Sequence, residues 1–275
     1  MFDLDAYLKR IGYEGPRTPT LATLRELHAR HPDAIPFENL TSLLGQTVSL
    51  DIDDIAAKLV DAHRGGYCYE HGRLFRTALQ AIGFQTVPLA ARVLWGPPPV
   101  ALPPRNHMLL LVDVDGVRWI ADVGFGGVTL SAPLRLEAGI VQPTPHERFR
   151  LDRLEDGDWL LQVQLGERWQ HVYRFDLTAQ LDADYLVSNF YVNAHPASLF
   201  VNNLLVARVT EGERHTLFNG ELGHYAPAPS HRKLRDVVEL RDVLERTFGI
   251  RLPDSDGRVS SAQLDAVLAR CLGQR

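Results

Sequence analysis

The sequence predicts an α+β protein in three consecutive parts, and three observations carry that expectation. Apolar residues recur at helical spacing through the first 83 residues, a two-residue alternation takes over from Phe84, and helical spacing returns near Ala183 with short strands interleaved. The expected parts are residues 1–83, 84–185 and 186–275. A chain of 275 residues that is 45% hydrophobic and 23% charged has ample material for one large core or two to three smaller ones.

In the first part Leu4, Tyr7, Leu8 and Ile11 share one helical face, and Leu21, Leu24, Leu27 and His28 repeat the pattern after Thr20 until His31-Pro32, where a stop is expected. Pro36-Phe37-Glu38-Asn39-Leu40 interrupts with an apolar-acidic turn. Asp51 to His63 resumes the helix, and a further one runs from Cys68 to Ile82, ending at Gly83. The middle part alternates over Val87–Trp95, Met108–Val114, Val117–Val123, Phe149–Asp152, Trp159–Gln164 and Trp169–Phe175. Gly96 to Arg105, dense in proline, cannot join a sheet interior and is expected to rim something. The last part offers a helix through Tyr185, Leu186, Asn189 and Phe190, strands at Leu204–Val209 and His215–Phe218, and helices at Arg235–Phe248 and Ala262–Leu272.

Several classes are disfavoured. A formal charge of −5, with no Lys/Arg-rich run, argues against a nucleic-acid partner. No stretch approaches the roughly 20 apolar residues of a membrane span, and Met1 to Asp5 lacks signal-peptide character, so no membrane partner and a cytoplasmic location are expected. Cys68 and Cys271 are too few for a disulfide framework.

The chemistry is read from Cys68. It opens a helix, where the dipole favours an anion, and Gly65-Gly66 lets backbone approach closely. That alone leaves open a plain buried cysteine. Asp115-Gly116 between two strands signals a two-residue type I′ hairpin. If Val114 faces Val117, Leu109 faces Asp122, and His107 lies diagonally from Asp122 on the same face. A carboxylate beside an imidazole fixes its tautomer and raises its basicity. Singly, His107 has the alternative of an exposed strand-end histidine, and Asp122 that of a cap on the following turn. Jointly with Cys68 they fit a nucleophile-base-orienter template in the order Cys, His, Asp.

Arg64-Gly65-Gly66-Tyr67-Cys68-Tyr69-Glu70, Pro36-Phe37-Glu38-Asn39-Leu40, Asn106-His107-Met108 and Asp122-Val123-Gly124-Phe125-Gly126 together resemble the arylamine N-acetyltransferases over nearly the full length. The resemblance implies an N-terminal helical bundle (1–83), a central β-barrel (84–185) and a C-terminal α/β lid (186–275). It also implies Cys68, His107 and Asp122 as a catalytic triad, acetyl-CoA as donor, and no metal. Phe37, Phe125 and Phe200 are implied to line the acceptor pocket, with plain core packing as the alternative. Gly126 and Gly127 are implied to lie near the coenzyme, the alternative being a turn that merely ends a strand. Gly72 departs from the asparagine that usually ends the family's cysteine motif, and puts a helix-weakening glycine in the second turn.

Other signals are weaker. Gly124-Phe125-Gly126-Gly127 has neither Walker nor dinucleotide spacing, and no G-x-S-x-G elbow occurs. Cys68-x-x-His71 lacks the further ligands that zinc needs. Glu38 and Arg64 are expected to form a structural ion pair. The activity expected is ping-pong acetyl transfer from acetyl-CoA to an arylamine or arylhydrazine. The alternatives are an amide synthase, an amidase or a transglutaminase-like enzyme on the same three residues, and a non-catalytic binding module. Association into a homodimer is left open.

Overall fold

A computed structural model describes residues 2–96, 101–225, 229–255, 257 and 259–273. Pro97 to Val100 of the proline-dense loop lie outside the described residues.

The first part is helical as its spacing requires: α1 (Leu4–Arg10), α2 (Leu21–Ala34), α3 (Leu40–Leu43), α4 (Ile52–Ala56, continued by a wide turn over Ala57–Asp61) and α5 (Cys68–Ile82). Thr20 caps α2 through its side chain. The stop expected at His31-Pro32 is not where α2 ends. Proline forbids only the bond to His28, and the last turn holds because His31, Pro32 and Ile35 are buried beneath it, His31 edge-on to Phe75. α5 starts and ends where predicted. Leu74, Phe75, Ala78, Leu79 and Ile82 are buried, and Gly83 takes φ +106° as its left-handed C-cap. The segment read as a turn at Phe37-Glu38 is a short strand, β1 (Phe37–Glu38), and its partner comes from the other end of the chain.

Eight antiparallel strands follow: β2 (Gln85–Val93), β3 (His107–Val114), β4 (Val117–Ala121), β5 (Leu134–Arg135), β6 (Val141–Pro143), β7 (Arg148–Arg153), β8 (Trp159–Leu165) and β9 (Arg168–Phe175). They pair in the order β5-β4-β3-β2-β9-β8-β7-β6 and curl into a nearly closed barrel. Val114 faces Val117 and Leu110 faces Ala121, so the predicted hairpin register holds, with Asp115 and Gly116 both at positive φ. One face of β3 and β4 (Leu109, Leu111, Ile120) joins the barrel core. The other face (Met108, Leu110, Val112, Ala121) packs with α2 and α5. Burial on both faces is why β3 reads as an almost continuous apolar run.

The last part contains α6 (Asp182–Ala194), α7 (Leu199–Asn202), β10 (Leu205–Thr210), β11 (Glu213–Phe218), β12 (Glu221–His224), β13 (Ser230–Lys233), α8 (Val237–Asp242, continued over Val243–Thr247) and α9 (Ser261–Cys271). Its sheet runs β1-β10-β11-β12-β13, so the N-terminal segment supplies an edge strand. Among the described residues no helix is long and apolar enough to cross a membrane.

Candidate active site

Cys68 is the first residue of α5 and is buried. The helix start is fixed from two sides. The Tyr67 N–H donates to Glu70 Oε2 at 3.0 Å, and Lys58 neutralises the same carboxylate at Oε1, 2.7 Å away. Gly65 lies so close to the Pro36 carbonyl that a Cβ would sit 2.1 Å from its oxygen, which brings the Pro36–Leu40 segment against the loop before Cys68.

Each residue of that segment has a task. Phe37 faces the cleft described below. Glu38 is fully buried and takes Arg64 Nε and Nη2 on Oε1 (2.9 and 2.7 Å) and the Leu40 N–H on Oε2 (2.6 Å), the ion pair expected from the sequence. Asn39 donates to the carbonyls of Phe200 and Asn203 (2.7 Å each) and accepts from the Leu205 N–H (2.8 Å), tying the N-terminal part to the last.

His107 begins β3 and Asp122 follows β4, both buried and on the barrel face. His107 Nε2 and Asp122 Oδ2 are 2.7 Å apart. Asp122 Oδ1 accepts the Gly124 N–H at 3.0 Å, which bends the chain back over α5. A Cβ on Gly124 would lie 2.9 Å from His71 Cβ and 3.1 Å from Cys68 Cα, so only glycine lets this loop rest on the cysteine turn. Cys68 Sγ is 3.8 Å from the Asn106 carbonyl, beside His107. Three residues separated in sequence thus converge.

Burial alone would lower the His107 pKa. The Asp122 carboxylate, by charge and hydrogen bond, and then Cys68, outweigh it and raise the value to about 10. Asp122 is correspondingly held below its ordinary value: burial would raise it, but the imidazolium and the Gly124 N–H win. His107 therefore rests as an imidazolium at neutral pH, with the proton already on nitrogen.

These groups stand at the wall of a cleft of about 890 Å³, a volume within the ordinary range of ligand sites. Phe37, Phe125 and Phe200 all line it. Phe125 stands edge-on to His107 (ring centroids 5.3 Å), and Phe37 and Phe200 are 6.1 Å apart. The two glycines part company: Gly127 lines the cleft, whereas the Gly126 N–H is bound to the Thr129 hydroxyl at 2.6 Å. Arg214, paired with Glu147, holds this loop by donating to the carbonyls of Gly127 and Thr129, 3.0 Å each.

His71 does not face a metal with Cys68. Its Nε2 meets the carbonyls of Gly66 (3.0 Å) and Pro36 (3.2 Å) and so carries the proton. Its Nδ1 then accepts from His31 Nε2 (2.8 Å), whose Nδ1 accepts from the Tyr7 hydroxyl (2.9 Å). His28 Nε2 accepts the Asp122 backbone N–H at 3.1 Å. Sequence reasoning missed this histidine layer, and also Trp95, Tyr191 and Tyr225 in the cleft wall. No local pattern marks any of them; the helical face shared by Leu24, Leu27 and His28 showed only that His28 points inward.

Residues 20–256 match the family model described as N-acetyltransferase, which sets the class. The chain is 43% identical over 270 residues to the arylamine N-acetyltransferase of Escherichia coli (strain K12), covering 97% of this chain and 95% of that protein. It is also 43% identical over 269 residues to the Salmonella typhimurium protein named arylamine N-acetyltransferase / N-hydroxyarylamine O-acetyltransferase, with the same coverage. Its fold is similar to that of the Mycobacterium marinum arylamine N-acetyltransferase solved in complex with CoA, with a TM-score of 0.93 at 38% identity over 98% of this chain and 99% of that one. The chain belongs to the arylamine N-acetyltransferase family.

Proposed function

We propose that this chain carries an acetyl group from acetyl-CoA to the nitrogen of an arylamine or arylhydrazine, by way of a thioester on Cys68. The observation that carries the reading is the buried Cys68 beside the His107–Asp122 pair, on the wall of an aromatic cleft. Cys68 reacts as the thiolate of a thiolate–imidazolium pair with His107, and its sulfur attacks the thioester carbonyl. The C–S bond to CoA breaks, and the departing CoA thiolate takes the proton from His107. An amine then attacks the acetyl-cysteine, His107 receives the amine proton, and Cys68 leaves as thiolate, restoring the resting pair. Asp122 keeps the imidazolium stable and its ring oriented throughout. Phe37, Phe125 and Phe200 offer an apolar enclosure for an aryl ring, and Gly127 offers cleft-facing backbone to the coenzyme. Backbone N–H groups at the start of α5 are the natural partners of the developing oxyanion.

The reading includes a cytoplasmic setting, in which Cys68 and Cys271, both free, stay reduced. Mixing the protein with acetyl-CoA alone tests it: intact mass should show one acetyl group, mapped to Cys68, with release of free CoA before any amine is added. Cys68→Ser should give neither. Amine acetylation with no acetyl-enzyme and no early CoA would overturn the covalent route.

A further inference from the structure

On the C-terminal sheet, away from Cys68, three side chains with metal-binding atoms converge. Glu213 and His215 are two apart on β11 and so share a face, and His224 on β12 is the direct cross-strand partner of His215. Their ligand atoms lie within 4.8 Å of one another. The separations are informative. Glu213 Oε2 is 4.0 Å from His215 Nε2, and Glu213 Oε1 is 3.8 Å from His224 Nε2. Both are too long for hydrogen bonds. A tetrahedral ion with Zn–N and Zn–O bonds of about 2.0–2.1 Å holds its ligand atoms about 3.4 Å apart, so small side-chain adjustments would close the set around one.

We propose that Glu213, His215 and His224 bind one divalent transition-metal ion of the zinc type, which clips β11 to β12. The imidazole rings are 4.7 Å apart at 26°, held by the strand pairing, so two of the ligands are already side by side. Arg208, opposite His215 on β10, shares its face and puts a positive charge nearby, but its Nε is held by the Asp33 carbonyl at 2.9 Å. Two nitrogen ligands and one carboxylate suit zinc, nickel or cobalt better than calcium or magnesium, which take mostly oxygen. Exposed open positions leave room for water as the remaining ligand.

The clip would act on the cleft wall. Arg214 and Thr216, which alternate with the ligands on β11, line the cleft, as does Tyr225, which follows His224. Locking β11 to β12 therefore fixes the wall that Arg214 ties to the Gly127 loop. This differs from any site at Cys68, and it stands whatever the acyl acceptor is.

The test uses untagged, EDTA-treated full-length Cys68→Ser protein, so that the active-site thiol cannot supply a ligand. Titration with Co2+ should give one equivalent with visible d–d absorption, displaced by Zn2+, and Zn2+ should raise Tm. Glu213→Gln and His224→Ala, at partly exposed positions, should each weaken binding by at least about tenfold, the lower limit seen even for the outer partners of metal ligands. Either no stoichiometric binding of Co2+ or Zn2+, or binding of equal strength in both variants, would overturn the proposal.

Discussion

Acid should unfold this protein through three histidines that its interior keeps neutral. His28 and His71, both fully buried, are lowered from 6.5 to about 4, in each case chiefly by burial, and His31 is lowered well below 6.5 by burial and by its neighbour His71. A histidine that holds its proton more weakly when folded contributes stability that is whole above pH 6.5 and is lost as pH falls toward 4. For His28 or His71 the full loss is about 3 kcal/mol, from a lowering of about 2.5 pH units. Two such losses are comparable with the whole stability of a domain, about 5–15 kcal/mol. At pH 5.5 each of the two is about 90% protonated unfolded and about 3% folded, so unfolding takes up about 0.9 proton per residue. His107 contributes almost nothing there, because it is protonated in both states.

The assay is proton uptake on urea unfolding at pH 5.5 in weakly buffered solution. Uptake should be close to two protons or more, and equilibrium stability should fall by about 1 kcal/mol per pH unit for each histidine. His28→Gln keeps an acceptor for the Asp122 N–H but removes one titrating group, so uptake should drop by about 0.9 proton. An uptake below one proton, or the same uptake in His28→Gln, would refute the reasoning.

Asp122→Asn should remove the charge that raises His107 and cut acetyl transfer by about 10³–10⁴-fold, as in the serine-protease case where the amide leaves the wrong tautomer; full turnover at pH 7 would show the carboxylate to be only a turn residue. Arg64→Ala leaves the Glu38 carboxylate buried without its guanidinium and should cost about 3–5 kcal/mol in urea unfolding; a change under about 1 kcal/mol would mean that Lys58 suffices. Gly72→Ala should gain about 1 kcal/mol of helix propensity but lose more to overpacking, because the new Cβ meets Met108 Sδ at 2.8 Å. In a Met108→Ala background the sign should reverse, and a Gly72→Ala protein more stable than wild type would contradict this.

What was legible in the sequence was local. The bounds of α5 follow from spacing and Gly83, and the hairpin register follows from Asp115-Gly116, whose two positive-φ residues fit the strand twist; that register alone brought His107 beside Asp122. Gly72 was read as a departure from the family's asparagine and as a helix-weakening glycine, and the structure supplies its counterpart: Met108 occupies the space that a side chain there would need. Long-range contacts left no such trace. The pairing of Phe37 with Ala207, the Asn39 bonds to the Phe200 region and the His28–Asp122 bond all join segments whose sequences say nothing of each other. The strand at Phe37-Glu38 was read as a turn because two residues carry no period, and Pro32 was read as a stop because its cost is local while its compensation is tertiary.

The same interior holds three histidines neutral and a fourth charged, and burial cannot be what distinguishes them, since all four are buried. The difference is one carboxylate. Asp122 offers Oδ2 to His107, spends Oδ1 on the Gly124 N–H, and presents to His28 only its backbone N–H, which needs a neutral acceptor. A proton on His28 Nε2 would face that N–H with no acceptor between them, so the bond that seats Asp122 also keeps His28 uncharged. His31 and His71 meet only carbonyls, a hydroxyl and each other, partners that a neutral chain of tautomers satisfies completely. Of the four imidazoles, the positive charge thereby falls on the one that follows Asn106, beside Cys68. That placement suits the acyl transfer proposed above, because a departing thiolate needs a proton donor and the cysteine needs a cation beside it.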